Sequence, residues 1–310
     1  MAISRTSALP LRGCVAVFAL LPSLLWAECI NMVTGAGGHT FWRQVQLGAQ
    51  MAAQQHKLEV YFRGPQNERD SQQQLQIIEK VLARPCAALI VAPSGSELLP
   101  RLAALKQQGM TIVSIDRDLG SRDVSGVVAT DNFQAGLLAG QQMARLLKGQ
   151  GRVALLHPSS SAQSVTERAR GFIQGAGAGG LQVVLERYLA ASESAEQASL
   201  ARDLRDLDGV FSTSEAVSLM ALGVLRRAKL ADKQVHIGFD ANPQLVDALR
   251  NGHMAGLLVQ QPYQMGFQSV ELAVRYLDGE LTAPSNVAFA AIFVERHNLA
   301  EKRIQHLLSP

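Results

Sequence analysis

Several side chains that could pair with hydroxyl groups stand directly after apolar, strand-like segments of the chain. Asp116 and Arg117 follow one such segment, Thr130 and Asp240 follow two others, and Gln260 follows a fourth. A carboxylate accepts hydrogen bonds, a guanidinium group donates them and an amide does both, so the set suits the rim of a polyhydroxyl molecule. Ligands of open α/β sheets bind outside the carboxyl ends of the strands. These residues therefore predict a site for a small polar molecule, with a sugar as the favoured class.

Aromatic side chains could cover the apolar faces of such a molecule, since a sugar ring carries C–H groups above and below its plane. Phe41 and Trp42 open a predicted helix after the glycine-rich segment TGAGGHT, and Phe239 precedes Asp240. The alternative for Phe41 and Trp42 is that they are core residues of the first helix. His39, in the glycine-rich segment, is either near the ligand or a solvated loop residue.

The polar candidates have alternatives that involve no ligand. Asp116 would then cap a helix or turn, Arg117 would be a surface charge, and Gln260 would be a hinge amide bonded to the backbone. Asp116 and Arg117 together nevertheless form a fork that suits neighbouring hydroxyls, which favours the binding interpretation.

The sequence carries no pattern typical of catalysis, a metal site or a cofactor site. A dinucleotide loop would need glycine at position 40, and no lysine-serine or lysine-threonine pair of a phosphate-binding loop follows the glycines. The seven histidines lack metal-ligand spacing, and the serines of HPSSSAQS lack the glycine frame of a hydrolase nucleophile. We therefore expect a binding protein without cofactor or metal, and not an enzyme.

The candidate residues are distributed over two similar series of strands and helices. Short aliphatic or β-branched segments alternate with longer ones in which apolar residues recur at spacings of three and four, as in βαβ units. Strands are predicted at residues 30–34, 58–62, 88–92, 111–115 and 126–129, and again at 152–156, 183–187, 209–211, 235–239 and 256–259. The helices predicted between them include residues 41–55, 68–83, 98–108, 134–148, 163–176 and 218–228.

Each series is expected to form one α/β lobe with a parallel sheet, because 310 residues exceed what a single core usually organises. A further helix at residues 262–277 and an extended segment at 286–294 follow the second series. If these return to the first lobe, the chain crosses between lobes near residues 130–132, 260–262 and 290–292. Several parallel crossings form a hinge.

The first residues have the pattern of a secretory signal peptide, residues 1–27. Arg5 and Arg12 precede an apolar stretch that is interrupted by Pro22 and is too short to span a membrane. Without these two arginines, 27 basic residues remain against 26 acidic ones, a balance that argues against a nucleic-acid partner. We expect a periplasmic, monomeric protein.

Two cysteines remain after the predicted leader, Cys29 and Cys86, each just before a strand-like segment. They could pair in an oxidising compartment, and the first and third strands of an open parallel sheet are often neighbours. Two buried free thiols are the alternative.

In order and spacing, five segments resemble the periplasmic sugar-binding proteins of the ribose-binding type, which share their fold with the ligand domains of LacI-type repressors. The segments are SIDRDL at residues 114–119, VVATDN at 127–132, TERARGF at 166–172, GFD at 238–240 and VQQPYQMG at 259–266. The resemblance covers essentially the whole exported chain. It implies a type I periplasmic binding protein fold, with two Rossmann-like lobes joined by a three-strand hinge. The first lobe would comprise residues 28–130 and 261–291, and the second residues 131–260 and 292–310.

The resemblance also implies a ligand set. Residues that match the family's hydroxyl-pairing positions are Asp116, Arg117, Arg168, Asp240 and Gln260, and those that match its aromatic positions are Phe41 and Trp42. The alternative for Arg168 is a solvated pair with Glu167 or Asp203.

The sequence departs from the family at five positions. His39 and Thr40 replace an asparagine and a proline, Ala92 replaces an asparagine, and Ser214 and Glu215 replace an asparagine-aspartate pair. A pocket changed in this way predicts a ligand other than ribose, such as another pentose, a hexose, a polyol or a furanose-like signalling molecule. The family implies capture by hinge closure and delivery to the permease of an ABC transporter. The alternative is presentation to a sensor histidine kinase or a chemoreceptor.

Overall fold

The computed structural model describes residues 27–36, 40–66, 70–158, 162–189 and 194–308. The predicted signal peptide lies outside the described residues except for its last position, and His39 also lies outside them. The described chain forms two lobes, each built on one six-stranded sheet. Within the described ranges, no helix is both long enough and apolar enough to cross a membrane.

The first lobe has a parallel sheet with helices on both faces. Its strands are Ala27–Val33 (β1), Glu59–Arg63 (β2), Cys86–Val91 (β3), Thr111–Ile115 (β4), Gly126–Thr130 (β5) and, from near the end of the chain, Ser285–Phe289 (β11). They lie in the order β11-β5-β4-β3-β1-β2. The helices are Thr40–Gln55 (α1), Ser71–Leu82 (α2), Leu99–Gln107 (α3) and the returning Pro262–Leu277 (α9). β3 is buried along its whole length, as expected for a strand covered on both faces.

The second lobe repeats this plan. Its strands are Gly151–Pro158 (β6), Leu181–Leu189 (β7), Gly209–Ser212 (β8), Val235–Phe239 (β9), Gly256–Val259 (β10) and Ile292–Val294 (β12), in the order β12-β10-β9-β8-β6-β7. Its helices are Asn132–Leu146 (α4), Gln163–Ala178 (α5), Ser194–Asp203 (α6), Glu215–Arg227 (α7), Pro243–Arg250 (α8) and Lys302–Leu308 (α10). The predicted strands all form, and α6, α8 and α10 add to the helices that the periodicity predicted.

One strand corrects the expectation of purely parallel sheets, because β12 pairs with β10 in the antiparallel direction. The reason is the route of the chain. β10 ends at the hinge, and β12 begins there, with Ile292 opposite Val259. A strand that starts where its neighbour ends must run in the opposite direction.

The chain passes between the two sheets after β5, after β10 and between β11 and β12, as predicted. Hydrogen bonds tie these passages to one another. The Asp131 amide donates to the Phe289 oxygen at 2.9 Å, and Gln261 Nε2 donates to the Ala290 oxygen at 2.8 Å. The passages therefore form a connected hinge and not three independent tethers.

A disulfide joins Cys29 in β1 to Cys86 in β3, with Cα atoms 4.9 Å apart. The two strands are neighbours in the sheet, and both cysteines lie toward their amino-terminal ends. Of the two alternatives for these cysteines, the structure therefore contains the bridged one. The bridge lies at the opposite end of the sheet from the polar residues that follow the strands.

Candidate ligand-binding site

The two lobes build the same corner where a strand ends. Asp116 follows β4 and Asp240 follows β9, and both have left-handed backbone, with φ of +67° and +70°. Each amide donates to the neighbouring strand at 2.8 Å, from Asp116 to the Val128 oxygen and from Asp240 to the Leu258 oxygen. This conformation is costly for residues other than glycine, although aspartate tolerates it better than most. Backbone strain of this kind concentrates at functional sites.

In the first lobe, Arg117 lies beside the Asp116 carboxylate, with Nε 3.6 Å from Oδ2. Its main-chain oxygen accepts a hydrogen bond from Ser114 Oγ at 2.6 Å, which holds the turn after β4. The space for the side chain depends on Gly35, because a Cβ there would lie 3.2 Å from Arg117 Nη2 and 3.0 Å from Trp42 Cζ2. Arg117 and Trp42 thus approach one another over a backbone that has no side chain.

In the second lobe, Arg168 on α5 is buried and held on several sides. Its Nε donates to Asn132 Oδ1 at 2.8 Å and its Nη1 to the Thr213 oxygen at 3.0 Å. Its guanidinium carbon lies 3.6 Å from the centre of the Phe239 ring, a cation–π arrangement. Burial lowers the pKa of Arg168, whereas the charges of Asp240 and then Asp116 raise it.

The close packing of α4 and α5 brings Arg168 to this position. A Cβ at Gly136 on α4 would lie 1.9 Å from the main-chain oxygen of Arg168, so the two helix backbones touch only because position 136 is glycine. Asn132 stands at the start of α4, directly after the hinge passage. The contact between the helices therefore places the arginine next to the hinge.

Asp240 completes the second-lobe half of the site. Its Oδ1 accepts a hydrogen bond from Gln260 Nε2 at 2.7 Å. Desolvation by burial raises the pKa of Asp240 to about 6, and the nearby charges of Glu215 and Asp116 act in the same direction. Arg168 and the Gln260 amide oppose this rise. The pKa of this carboxyl group therefore lies well above the ordinary aspartate value of 3.8.

Thr130 and Gln260 are buried where the first two passages meet. The Thr130 hydroxyl donates to Gln260 Oε1 at 2.8 Å. The alternative in which Gln260 bonds to the backbone is wrong, since both of its side-chain bonds are to side chains. Gln260 therefore connects a first-lobe strand to a second-lobe carboxylate.

The aromatic residues lie in environments that differ from one another. Phe41 is half-buried and meets Trp42 edge to face, with ring centres 4.8 Å apart. Trp42 is 1% exposed and belongs to the first-lobe core while also approaching Arg117. Phe239 is 0% exposed, and Arg168 covers one face of its ring. The expectation that Phe239 covers a ligand face stays a prediction, and in this structure the Arg168 guanidinium group lies over one face of that ring.

Ser214 and Glu215 stand at the start of α7, at the carboxyl end of β8. Glu215 Oε1 accepts a hydrogen bond from Asn242 Nδ2 at 2.9 Å. The Ser214 hydroxyl is buried and has no hydrogen-bond partner within the described residues. An unpaired buried hydroxyl is costly, so the site has unused hydrogen-bonding capacity at this end.

A sequence profile of the periplasmic binding protein domain matches residues 30–281. The chain belongs to this family. The ribose import binding protein RbsB of Haemophilus influenzae is 28% identical to it over 264 residues, which cover 82% of this chain and 87% of that protein.

Solved structures of similar proteins agree with this assignment. A carbohydrate transporter solute binding protein from Agrobacterium radiobacter, in complex with D-arabinose, superposes with a TM-score of 0.78 at 26% identity, covering 91% of this chain and 98% of that one. An ABC transporter solute binding protein from Agrobacterium vitis with bound D-fucose gives a TM-score of 0.79 at 27% identity, covering 91% and 100%.

These comparisons confirm the resemblance and the two-lobed fold, and they confirm that this periplasmic binding protein is not an enzyme. The three relatives are named as import or transporter components. The alternative of presentation to a sensor kinase or chemoreceptor therefore receives no support from them.

Two residues of this periplasmic binding protein were missed in the sequence. Asn132 bonds to Arg168 and was only part of a motif, with no role of its own. Gln74 on α2 is buried and donates to the Thr34 and Ala92 oxygens at 2.9 and 2.8 Å, joining the ends of β1 and β3. The sequence does indicate that Gln74 is buried, because it stands at a helical spacing from the apolar residues Ile78 and Val81, which are buried on the same helix.

Proposed function

We propose that this periplasmic binding protein captures a small neutral carbohydrate between its lobes and delivers it to the permease of an ABC importer. The observation that carries the proposal is the convergence of acidic and basic groups from both lobes at facing strand ends. Arg168 of the second lobe interacts electrostatically with Asp240 of its own lobe and with Asp116 of the first. Since that interaction crosses the cleft, a ligand between these groups would contact both lobes.

The mixture of charges favours a neutral ligand that both donates and accepts hydrogen bonds. A single-sign ligand would be repelled by either the carboxylates of Asp116, Glu215 and Asp240 or the two guanidinium groups. A hydroxyl group can donate to a carboxylate and accept from an arginine at the same time. The ribose, D-arabinose and D-fucose named for the relatives support the carbohydrate class.

Ligand capture would proceed by closure at the hinge. A sugar that bonds to groups of both lobes binds the closed form more tightly, and so shifts the population toward it. We assign residues 28–130 and 261–291 to one rigid lobe and residues 131–260 and 292–310 to the other. The return of α9 and β11 to the first sheet, and of β12 to the second, supports these boundaries.

The residues proposed to contact the sugar have distinct roles. Asp116, Arg117, Arg168, Asp240 and Gln260 would pair its hydroxyls, and the half-buried Phe41 would cover one face of its ring. Ser214 would supply a hydroxyl where the family has an amide. His39 and Glu215 are proposed to lie beside the sugar. Trp42 would pack against Arg117, and Phe239 would pack against Arg168.

The departures at Ala92 and Ser214 argue for a sugar other than ribose. Ala92 replaces an amide by a side chain that neither donates nor accepts, and Ser214 replaces one by a shorter hydroxyl that donates one hydrogen bond where an amide donates two. A ribose hydroxyl placed there without its partner would lose about 1 to 3 kcal/mol. We propose a pentose, hexose or polyol whose hydroxyls suit the smaller side chains, bound by a monomeric protein exported to the periplasm through residues 1–27.

The test is a thermal-shift screen of the mature protein against pentoses, hexoses, polyols, amino acids and amine oxides. At least one carbohydrate is expected to raise the melting temperature, and Asp240→Asn should remove that shift while the protein stays folded. Asp247→Asn is the matched control, because Asp247 is an exposed carboxylate paired with Arg250 on α8. Stabilisation by amino acids or amine oxides alone would show that the sugar assignment is wrong. For delivery, a strain that lacks the gene should lose uptake of the stabilising sugar.

A further inference from the structure

Thr130, the last residue of β5, is the origin of two hydrogen-bond chains that run into the second lobe. Its hydroxyl donates to Gln260 Oε1 at 2.8 Å, and Gln260 Nε2 donates to Asp240 Oδ1 at 2.7 Å. Its main-chain oxygen accepts from Asn132 Nδ2 at 3.0 Å, and Asn132 Oδ1 accepts from Arg168 Nε at 2.8 Å. Each chain passes through one amide and ends on one charged group of the candidate site.

The polarity of these chains follows from the chemistry of their ends. An ionised carboxylate only accepts hydrogen bonds and a guanidinium group only donates them. Gln260 must therefore turn its NH2 group to Asp240, and Asn132 must turn its oxygen to Arg168. Thr130 provides the opposite polarity for each amide, a hydroxyl proton for the Gln260 oxygen and a carbonyl oxygen for the Asn132 NH2 group. Each amide thus has one orientation in which both of its ends are paired.

Burial makes that orientation important. Thr130, Gln260 and Arg168 are all buried, so bulk water cannot replace a bond that a rotated amide would lose. Apart from the hydrogen bond of the neutral Gln260, the interactions that shift the pKa of Asp240 come from the charges of Arg168, Glu215 and Asp116. Among these interactions of the described residues, the Gln260 bond is the one that depends on the rotation of a neutral side chain.

We infer that Thr130 and Asn132 are positioning residues, which fix the atoms that Asp240 and Arg168 present to a ligand. Thr130 orients Gln260 for Asp240, and it orients Asn132, which in turn holds Arg168. Within the described residues, Asp240 Oδ2 and Arg168 Nη2 then remain for hydroxyl groups, since the other polar atoms of these two groups are bonded. Thr130 therefore acts through Gln260 and is not itself a contact of the sugar. This inference rests on the proposed function only in the identity of the ligand.

The first experiment measures the Asp240 carboxyl by carbon NMR during a pH titration of the ligand-free protein, with Asp240→Asn assigning the signal. Thr130→Val keeps the volume and removes the hydroxyl, so the Gln260 oxygen loses its donor and the NH2 group is no longer held in place on Asp240. The titration midpoint should rise by about one pH unit, because a carboxylate loses a donor that favours its charged form. Thr130→Ser should restore the midpoint of the unmodified protein.

Thr34→Val is the matched control. Thr34 is also buried, but its hydroxyl donates to the Ala36 and Arg63 main-chain oxygens, away from Gln260. This variant should lose stability without moving the Asp240 midpoint. An unmoved midpoint in Thr130→Val, or an equal shift in Thr34→Val, would overturn the role of Thr130.

The second experiment follows the Arg168 Nε–H proton by nitrogen NMR in the same ligand-free protein. Asn132→Ala should speed its exchange with water by about tenfold or more, since its acceptor is gone. Thr130→Val keeps its main-chain oxygen and should leave this proton unchanged. Equal exchange in Asn132→Ala and the unmodified protein would overturn the role of Asn132. Neither measurement uses a sugar. A negative result in either one is therefore distinguishable from a failure of the carbohydrate screen.

Discussion

The two lobes share a strand-end corner but hold their arginines in different ways. In the first lobe, Arg117 follows Asp116 directly, pairs with it at 3.6 Å, and keeps 20% of its side chain exposed. In the second, the arginine beside Asp240 is Arg168, which comes from a distant helix, is buried, and bonds to Asn132 and Thr213. The second-lobe half is thus arranged before a ligand arrives. We expect this half to contribute more binding free energy, because less side-chain entropy remains to be lost there.

The largest expected effect comes from removing the buried arginine. Arg168→Met should weaken binding of the sugar identified in the screen by about 100-fold or more, and should destabilise the fold by about 3 to 5 kcal/mol, because Asp240 loses its counter-charge. Arg117→Met is the matched change in the first lobe and should cost about tenfold in affinity with little loss of stability. Titration calorimetry and urea unfolding measure the two quantities. Equal effects of the two variants would remove the distinction between the lobes.

The disulfide is a second difference, since none of the three cysteines of the sequence falls in the second lobe. Cys29→Ser with Cys86→Ser should lower the free energy of unfolding of the first lobe by about 4 kcal/mol, for a bridge that spans a sequence separation of 57. Trp42 is the one tryptophan after residue 27, so its fluorescence reports this lobe. Reducing agent should have the same effect on the unmodified protein and none on the double variant. A stability that is unchanged by reduction would contradict the prediction.

The next effect is a dependence of ligand affinity on pH. The pKa of Asp240 is raised to about 6, and a ligand hydroxyl donates best to its ionised form. Affinity should therefore fall as the pH drops below about 6, approaching a factor of ten per pH unit. Asp116→Asn should keep this dependence, whereas Asp240→Asn should abolish it together with most of the binding. Calorimetry between pH 4.5 and 7.5, in steps of about half a unit, would detect the difference.

The same group affects the ligand-free protein with the opposite sign. Because its folded pKa lies above the ordinary value of 3.8, the folded state holds more protons than the unfolded state between about pH 4 and pH 6. The contribution of Asp240 to stability is thus present at low pH and is lost as the pH rises through this window. Urea unfolding measures this contribution when the free energies of unfolding of the unmodified protein and of Asp240→Asn are compared at about pH 4 and about pH 6.

The part of the site that could be predicted from sequence consists of polar residues that directly follow a strand in the chain. Asp116 and Arg117 adjoin a strand whose predicted and observed bounds coincide, and Asp240 adjoins another. Apolar runs covered by helices on both faces are recognisable because each one is continuous and ends abruptly at a polar group. The corners therefore follow from local pattern alone.

The rest depends on atoms that meet only after folding. Thr130 and Gln260 are 130 positions apart, and the Gln260 amide that Thr130 orients is bonded at its other end to a third residue, Asp240. The contact of Phe239 with a guanidinium group depends on where Arg168 lies, which in turn depends on a contact between two helix backbones at Gly136. No periodicity carries such information. The direction of the three-residue strand β12 is likewise set by its entry point at the hinge.

The smallest expected effect compares the two corners directly, because the same substitution should act with opposite sign in the two lobes. Glycine adopts a positive φ without the Cβ penalty, and the Asp116–Arg117 pair that is lost is long, at 3.6 Å, so Asp116→Gly should stabilise the fold by a few tenths of a kcal/mol after that loss and the entropy of the unfolded chain are counted. Asp240→Gly relieves a similar backbone conformation but leaves Gln260 Nε2 without its acceptor and the buried Arg168 without a nearby opposite charge. It should therefore destabilise by about 1 to 3 kcal/mol. Thermal unfolding of both variants, with Asp116→Asn and Asp240→Asn as controls that keep the side-chain shape, separates backbone strain from side-chain pairing. Stabilisation by both glycine variants would mean that the Asp240 carboxylate is not needed to hold its neighbours, and the second lobe would then be no more prearranged than the first.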